Sequence, residues 1–347
     1  MVMILLCFLS FSSPLSATSK ETDIKPQQAT SSQEKEKSSP PDTLENPINA
    51  TPRSTDVFAE PFPLFDSHRQ PGHIGHYVLL PWLSQTFPGF GQLYYGQYSQ
   101  ALTLSGVAMS GIALIKYSKI TTADLVQLQE ESKLNESSPF LTKDDHLRYY
   151  LTGAKLYGTA GDLSAYHSFR TAVRKNPKYG DFSFLTHEES LSDILYAPLR
   201  YEFLSRPSTL GTLALAMVGL YTSRPNHLNE SDGLFTASVS LMAGTGEEAF
   251  YRGWLQPVLY HYTGNSVIAN ALQAGLFFGA HSPGSFIHFL AGLWFGHLTQ
   301  KNNWTLSESV FIHTWWDVLA LSSAFITSHQ HPEQKMRVQI ELPTIFF

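Results

Sequence analysis

The chain has 347 residues, a formal net charge of -6 and 43% hydrophobic against 15% charged residues, enough for one large domain or two modest ones. Its lysines and arginines do not cluster with aromatics, which argues against a nucleic-acid partner. The only cysteine, Cys7, excludes an intrachain disulfide and a thiolate-built zinc site, so any metal must use His and carboxylate ligands.

Residues 1–17, MVMILLCFLSFSSPLSA, are apolar, end in small residues and read as a signal peptide or N-terminal anchor, although a basic start is missing. Residues 18–75 are dominated by polar residues and proline. Such a stretch buries too little apolar surface to offset its ordering entropy and reads as a disordered linker. From His76 to Ser118 the chain turns apolar. The stretch PGFGQLYYGQ followed by one span-length helix, 98–118, resembles small membrane-hairpin modules of bacterial proteins, with a reentrant turn packed against the helix as the plainer reading. Residues 119–205 form a polar insertion. Within it, 140–169 alternates at helical spacing, as amphipathic helices on a membrane or in a soluble insertion do, and no chemical motif stands out there.

Five apolar stretches then follow closely, at 208–222, 233–250, 265–281, 285–300 and 304–327. Several are shorter than a full span and most carry Gly, Ser, Thr or His, as helices inside a polytopic bundle do. Buried helices of a soluble domain have the same length, but so many with short links favour a membrane bundle. The expected fold is therefore all-α: a polytopic membrane helix bundle over 206–330, with a disordered N-terminal tail, a polar helical insertion and a C-terminal tail at 331–347. The polar N- and middle segments explain why the mean hydropathy is only -0.12.

Expensive residues sit inside these stretches. In 244-GTGEEAFYRG-253, Glu247 and Glu248 end an apolar run, and each carboxylate costs about 2.5–3.5 kcal/mol at the centre of a spanning helix unless it faces a partner or water. Glu248 and Arg252, four apart, suit an ion pair, which turns Glu247 about 100° away from it. Phe277 and His281 share the next face, and His313 and Asp317 share one on the last helix. Taken singly, each histidine reads as a satisfied core residue. Taken together, Glu, His, His and Asp on successive helices supply a base for water, a second proton-handling group and oxyanion donors. His288 and His297 read as structural or interfacial, and Gly244 and Gly246 as small residues that let neighbouring helices close in.

The order EExxxR, FxxxH, HxxxD, with looser similarity around it over 208–327, resembles the CPBP intramembrane proteases. These comprise type II CAAX prenyl endopeptidases, bacterial abortive-infection proteins and bacteriocin-processing relatives. The resemblance implies an intramembrane endopeptidase that cleaves a membrane-associated protein or peptide. Glu247 would activate the attacking water with help from His281, Glu248 would pair with Arg252 and hold the helix, and His313 and Asp317 would polarise the scissile carbonyl or hold the oxyanion. The family is described both as metal-dependent and as metal-independent. If a zinc ion binds, Glu247, His281 and His313 are ligands of types it accepts.

The sequence departs from the commonest pattern at Asp317, where Asn is more usual. An ionised Asp cannot donate to an oxyanion, which points to orienting His313, holding a metal or being protonated. The expected location is the bacterial plasma membrane, with the lipid bilayer and a peptide or membrane-protein substrate as partners. A non-catalytic membrane scaffold or immunity-type protein is the alternative, and a small transporter using the same carboxylates is a third reading.

Overall fold

The computed structural model describes residues 75–125, 145–175, 182–222, 230–281 and 286–330. The signal-like segment, the linker up to residue 74 and the C-terminal tail lie outside the described residues. Among the described residues the elements are helices, with no strand. The all-α bundle expected from the spacing of apolar residues is the fold observed.

Local chemistry sets the helix limits. A π-helical turn, Gly75–Leu79, leads into α1 (Leu80–Thr86), which has a proline in its first turn and closes just before Pro88. Gly89 then adopts a positive φ of 98° and opens α2 (Phe90–Tyr94). α3 (Tyr98–Ser118) is the one described helix long and apolar enough to cross a membrane. α4 (Asp145–Lys175) is 31 residues long. α5 (Leu191–Tyr196) starts on a Ser190/Asp193 capping box and is followed by two short 3-10 turns, Ala197–Leu199 and Tyr201–Ser205.

The remaining helices are α6 (Pro207–Thr222), α7 (Glu230–Glu248), a π-helical segment Ala249–Leu255, α8 (Gln256–Thr263), α9 (Ser266–Ala280), α10 (Phe286–Lys301) and α11 (Ser307–Gln330). Gly264, at φ 65°, ends α8, and Asn265 immediately caps α9 by accepting from the Val267 and Ile268 amides. The first amides of α11 are capped from afar: the Glu189 carboxylate accepts from Leu306 N at 2.6 Å and Ser307 N at 2.9 Å. A carboxylate there also complements the helix dipole.

α4 is the central element. It packs on α1, α2, α3, α7 and the π-helical segment, while α11 packs on α6, α7 and α10, and α9 on α8 and α10. The α3–α4 crossing is close because Gly111 meets Gly153, where an added Cβ would lie 2.5 Å from the opposing carbonyl oxygen. The PGFGQ turn packs on both α3 and α4. Ser105 Oγ donates to Pro88 O at 2.7 Å, Gly89 N donates to Ser164 Oγ at 2.9 Å, and the buried Gln92 donates to Ser164 O at 3.0 Å.

Apolar clusters fill the gaps: Leu163, Tyr166 and Ala249 with Leu306 and Val310, and Leu147 and Leu151 with Val239, Met242 and Leu321. The outside is apolar as well. Leu102 and Met109 on α3, Leu215 and Met217 on α6, Val267 and Leu272 on α9, and Phe286 and Leu290 on α10 are all exposed.

Candidate active site

Glu247 and Glu248 are the last two residues of α7, and the helix continues through the wider π-helical turn that carries Arg252. Gly244 and Gly246 bring two neighbours against this end. A Cβ on Gly244 would lie 2.3 Å from Thr314 Oγ1 of α11, and one on Gly246 would lie 3.0 Å from Thr159 Cα and 3.1 Å from Asp162 Oδ2 of α4. The two glycines therefore set how closely α11 and α4 approach the glutamates.

All six residues singled out in the sequence converge here. Arg252 Nη1 donates to Glu248 Oε1 at 2.9 Å, with both side chains fully buried. His313 Nδ1 lies 2.8 Å from the same oxygen, and because a carboxylate only accepts, Nδ1 is the donor. Phe295 stacks on the His313 ring at 5.2 Å, and the Arg252 guanidinium sits 4.3 Å over the Phe277 ring.

His281 follows α9 directly, with extended backbone at φ -104° and ψ 139° rather than helical angles. Its i+4 relation to Phe277 is realised through the backbone: Nδ1 donates to Phe277 O at 2.7 Å. Both imidazoles thus present Nε2 towards Glu247. His281 Nε2 lies 3.4 Å and His313 Nε2 3.7 Å from Glu247 Oε2, and Asp317 Oδ2 lies 3.6 Å from His313 Nε2. With Nδ1 committed as donor on each ring, a neutral imidazole offers only a lone pair at Nε2. The convergence of those nitrogens with carboxylate oxygens is a seat for proton donors, supplied by a water or by an imidazolium N–H.

One feature departs from the sequence reading. Glu248 orients His313 as well as pairing with Arg252, a job the sequence offered to Asp317, whose carboxylate is beyond hydrogen-bond range. His288 stacks on His281 at 4.8 Å and so backs the site. His297 is exposed and beside Trp294.

The side chain that the sequence did not reveal is Lys155 of α4, whose ammonium donates to Glu247 Oε1 at 2.9 Å. One turn on, Thr159 Oγ1 donates to Met242 O at 2.9 Å, and Asp162 approaches Gly246. A signal was there: Lys155, Thr159 and Asp162 fall at i, i+4 and i+7 amid Gly153, Ala154, Gly158, Ala160 and Gly161, a polar stripe on a helix built for close approach.

Among the described residues no group of three or more His, Cys, Asp or Glu side chains is arranged to hold a metal. The Lys155 ammonium already occupies one oxygen of Glu247 and competes electrostatically with a second cation.

Residues 229–319 match the family model described as type II CAAX prenyl endopeptidase Rce1-like. The match covers 91 of the 347 residues. The matched stretch contains Glu247, Glu248, Arg252, His281, His313 and Asp317. The Rce1-like stretch is narrower than the 208–327 of the sequence resemblance, and α4 lies outside it. No curated protein and no solved structure matches the chain.

Proposed function

We propose that the chain is an intramembrane endopeptidase in which Glu247 is the general base. The observation that carries this reading is the single carboxylate oxygen, Glu247 Oε2, facing the Nε2 atoms of His281 and His313. A water held there gives a proton to Glu247 as its oxygen attacks the peptide carbonyl carbon. The oxyanion of the tetrahedral intermediate takes a hydrogen bond from protonated His313 Nε2, the ring being held at Nδ1 by Glu248. When the C–N bond breaks, the leaving amine recovers the proton from Glu247, with His281 as the nearby relay. Water, peptide and protons balance without a metal, and the Lys155 ammonium already held by Glu247 supports that route.

The exposed apolar faces of α3, α6, α9 and α10 support a membrane location. Soluble monomers rarely expose contiguous apolar patches above a few hundred Å². The substrate is a membrane-associated protein or peptide and the location a bacterial plasma membrane, as the N-terminal segment suggests.

The test compares protein N-termini in membranes from cells expressing the full chain or its Glu247→Gln variant at equal levels. Termini that vanish with Glu247→Gln and persist when 1,10-phenanthroline is added to the wild-type membranes are the expected result. An unchanged set of termini in Glu247→Gln overturns the peptidase reading. Termini lost to the chelator and restored by zinc overturn the metal-free route.

A further inference from the structure

We infer that Lys155, on a helix outside the Rce1-like stretch, is a positioning residue for Glu247. The inference rests on the peptidase reading for the reaction it serves, and on geometry alone for the contact itself. A glutamate's terminal torsion is broad and roughly two-fold, so a carboxylate held at neither oxygen presents no defined edge. Here the Lys155 ammonium takes Oε1 at 2.9 Å, and that leaves Oε2 as the oxygen facing His281 and His313. The same charge offsets the burial of a carboxylate that the other cation nearby, Arg252, does not reach by hydrogen bond, since Arg252 is committed to Glu248.

Lys155 is itself held in place from both directions. Two residues before it, Gly153 makes the close crossing with Gly111 of α3. Four residues after it, Thr159 donates to Met242 O of α7, beside the glycine pair that sets the distance to the glutamates. A purely structural ion pair could sit anywhere along the α4–α7 seam. This one sits on the carboxylate whose other oxygen meets both imidazoles. α4 is therefore a wall of the active site, and the Rce1-like stretch alone lacks the group that orients its base.

The test uses the full chain in detergent and in membranes, with wild type, Lys155→Met, Lys155→Arg, Glu247→Gln and the Lys155→Met/Glu247→Gln pair. Lys155→Met, which leaves a buried carboxylate uncompensated, lowers Tm by roughly 5–10 °C, and adding Glu247→Gln recovers most of the loss. In membranes the Glu247-dependent termini fall roughly 10- to 100-fold in Lys155→Met at equal protein level and recover to within about threefold in Lys155→Arg. Rescue by a second cation separates positioning from mere filling of space, because Met fills the space as well. An additive thermal cycle overturns the proposal, as does a folded Lys155→Met that keeps the termini. Should Glu247→Gln itself leave every terminus in place, the peptidase reading fails, and the thermal cycle still decides whether Lys155 holds Glu247.

Discussion

Arg252→Met probes the floor of the site, where the structure makes the sign and size of the effect calculable. Arg252 and Glu248 are fully buried and bonded at 2.9 Å, so removing the cation strands a carboxylate whose remaining partner is His313 Nδ1. Breaking one half of a buried pair costs about 3–5 kcal/mol. Losing the guanidinium over Phe277, at 4.3 Å, adds about 1 kcal/mol. Against this, Nε and Nη2 of Arg252 have no partner among the described residues, so methionine relieves about 2–3 kcal/mol of desolvation. The net loss is about 2.5 kcal/mol, which lowers Tm by roughly 5–10 °C for a domain of this size. The assay is a tryptophan-fluorescence melt in detergent, and pairing the change with Glu248→Gln returns much of the loss by removing the stranded charge. An Arg252→Met protein that melts with wild type would show that the pair is energetically idle and that the carboxylate is held by His313 alone.

Two further outcomes follow from the same geometry. Gly244→Val drives a branched side chain into Thr314, where even a Cβ would stand 2.3 Å from Oγ1; α7 and α11 separate, stability falls by about 1–3 kcal/mol in thermal melts, and Glu247-dependent termini disappear. His313→Gln reduces those termini by roughly 100-fold or more, whereas Asp317→Ala, which removes a carboxylate 3.6 Å from Nε2, reduces them by less than about tenfold. Equal losses from the two variants would assign Asp317 a direct part in the reaction.

The bundle and its clustered polar side chains were legible in the sequence for one reason: polar groups are costly on apolar helices and stand out. Glu247, Glu248, His281, His313 and Asp317 could be picked from spacing alone, and the Glu248–Arg252 pair follows from i, i+4 geometry. What spacing could not give is which oxygen meets which nitrogen. Glu248 rather than Asp317 holds His313 because α11 approaches α7 over Gly244, a tertiary fact. His281 was expected on a helix face and instead follows the helix end, its ring fixed by a backbone carbonyl. Lys155 escaped because α4 reads as polar, and a single lysine among polar residues carries no surprise. Its context becomes informative once the flanking glycines and alanines are read as a close-packing face.

Exposure across the cluster is graded. It is zero at Glu248 and Arg252, 7% at His313, 16% and 17% at Glu247 and Lys155, 24% at His281 and 28% at Asp317. The values rise from a closed floor of ion pair and aromatic rings to an open side, or mouth, at His281 and Asp317. The proposed hydrolysis needs such an asymmetry: water has to reach Glu247 Oε2, while a dry floor keeps the His313–Glu248 bond strong. Asp317 then has a use that does not require it to donate a hydrogen bond, because a carboxylate at the mouth hydrates the entrance. Cysteine accessibility tests this on one helix. With Cys7→Ser as background, Asp317→Cys in the mouth reacts with a water-soluble methanethiosulfonate roughly tenfold or more faster than Thr314→Cys, three residues away and packed on Gly244. Prior occupation of the site by a peptide substrate protects Asp317→Cys and leaves Thr314→Cys unchanged. Equal labelling rates at the two positions would place the opening elsewhere and leave Glu247 without a route for its water.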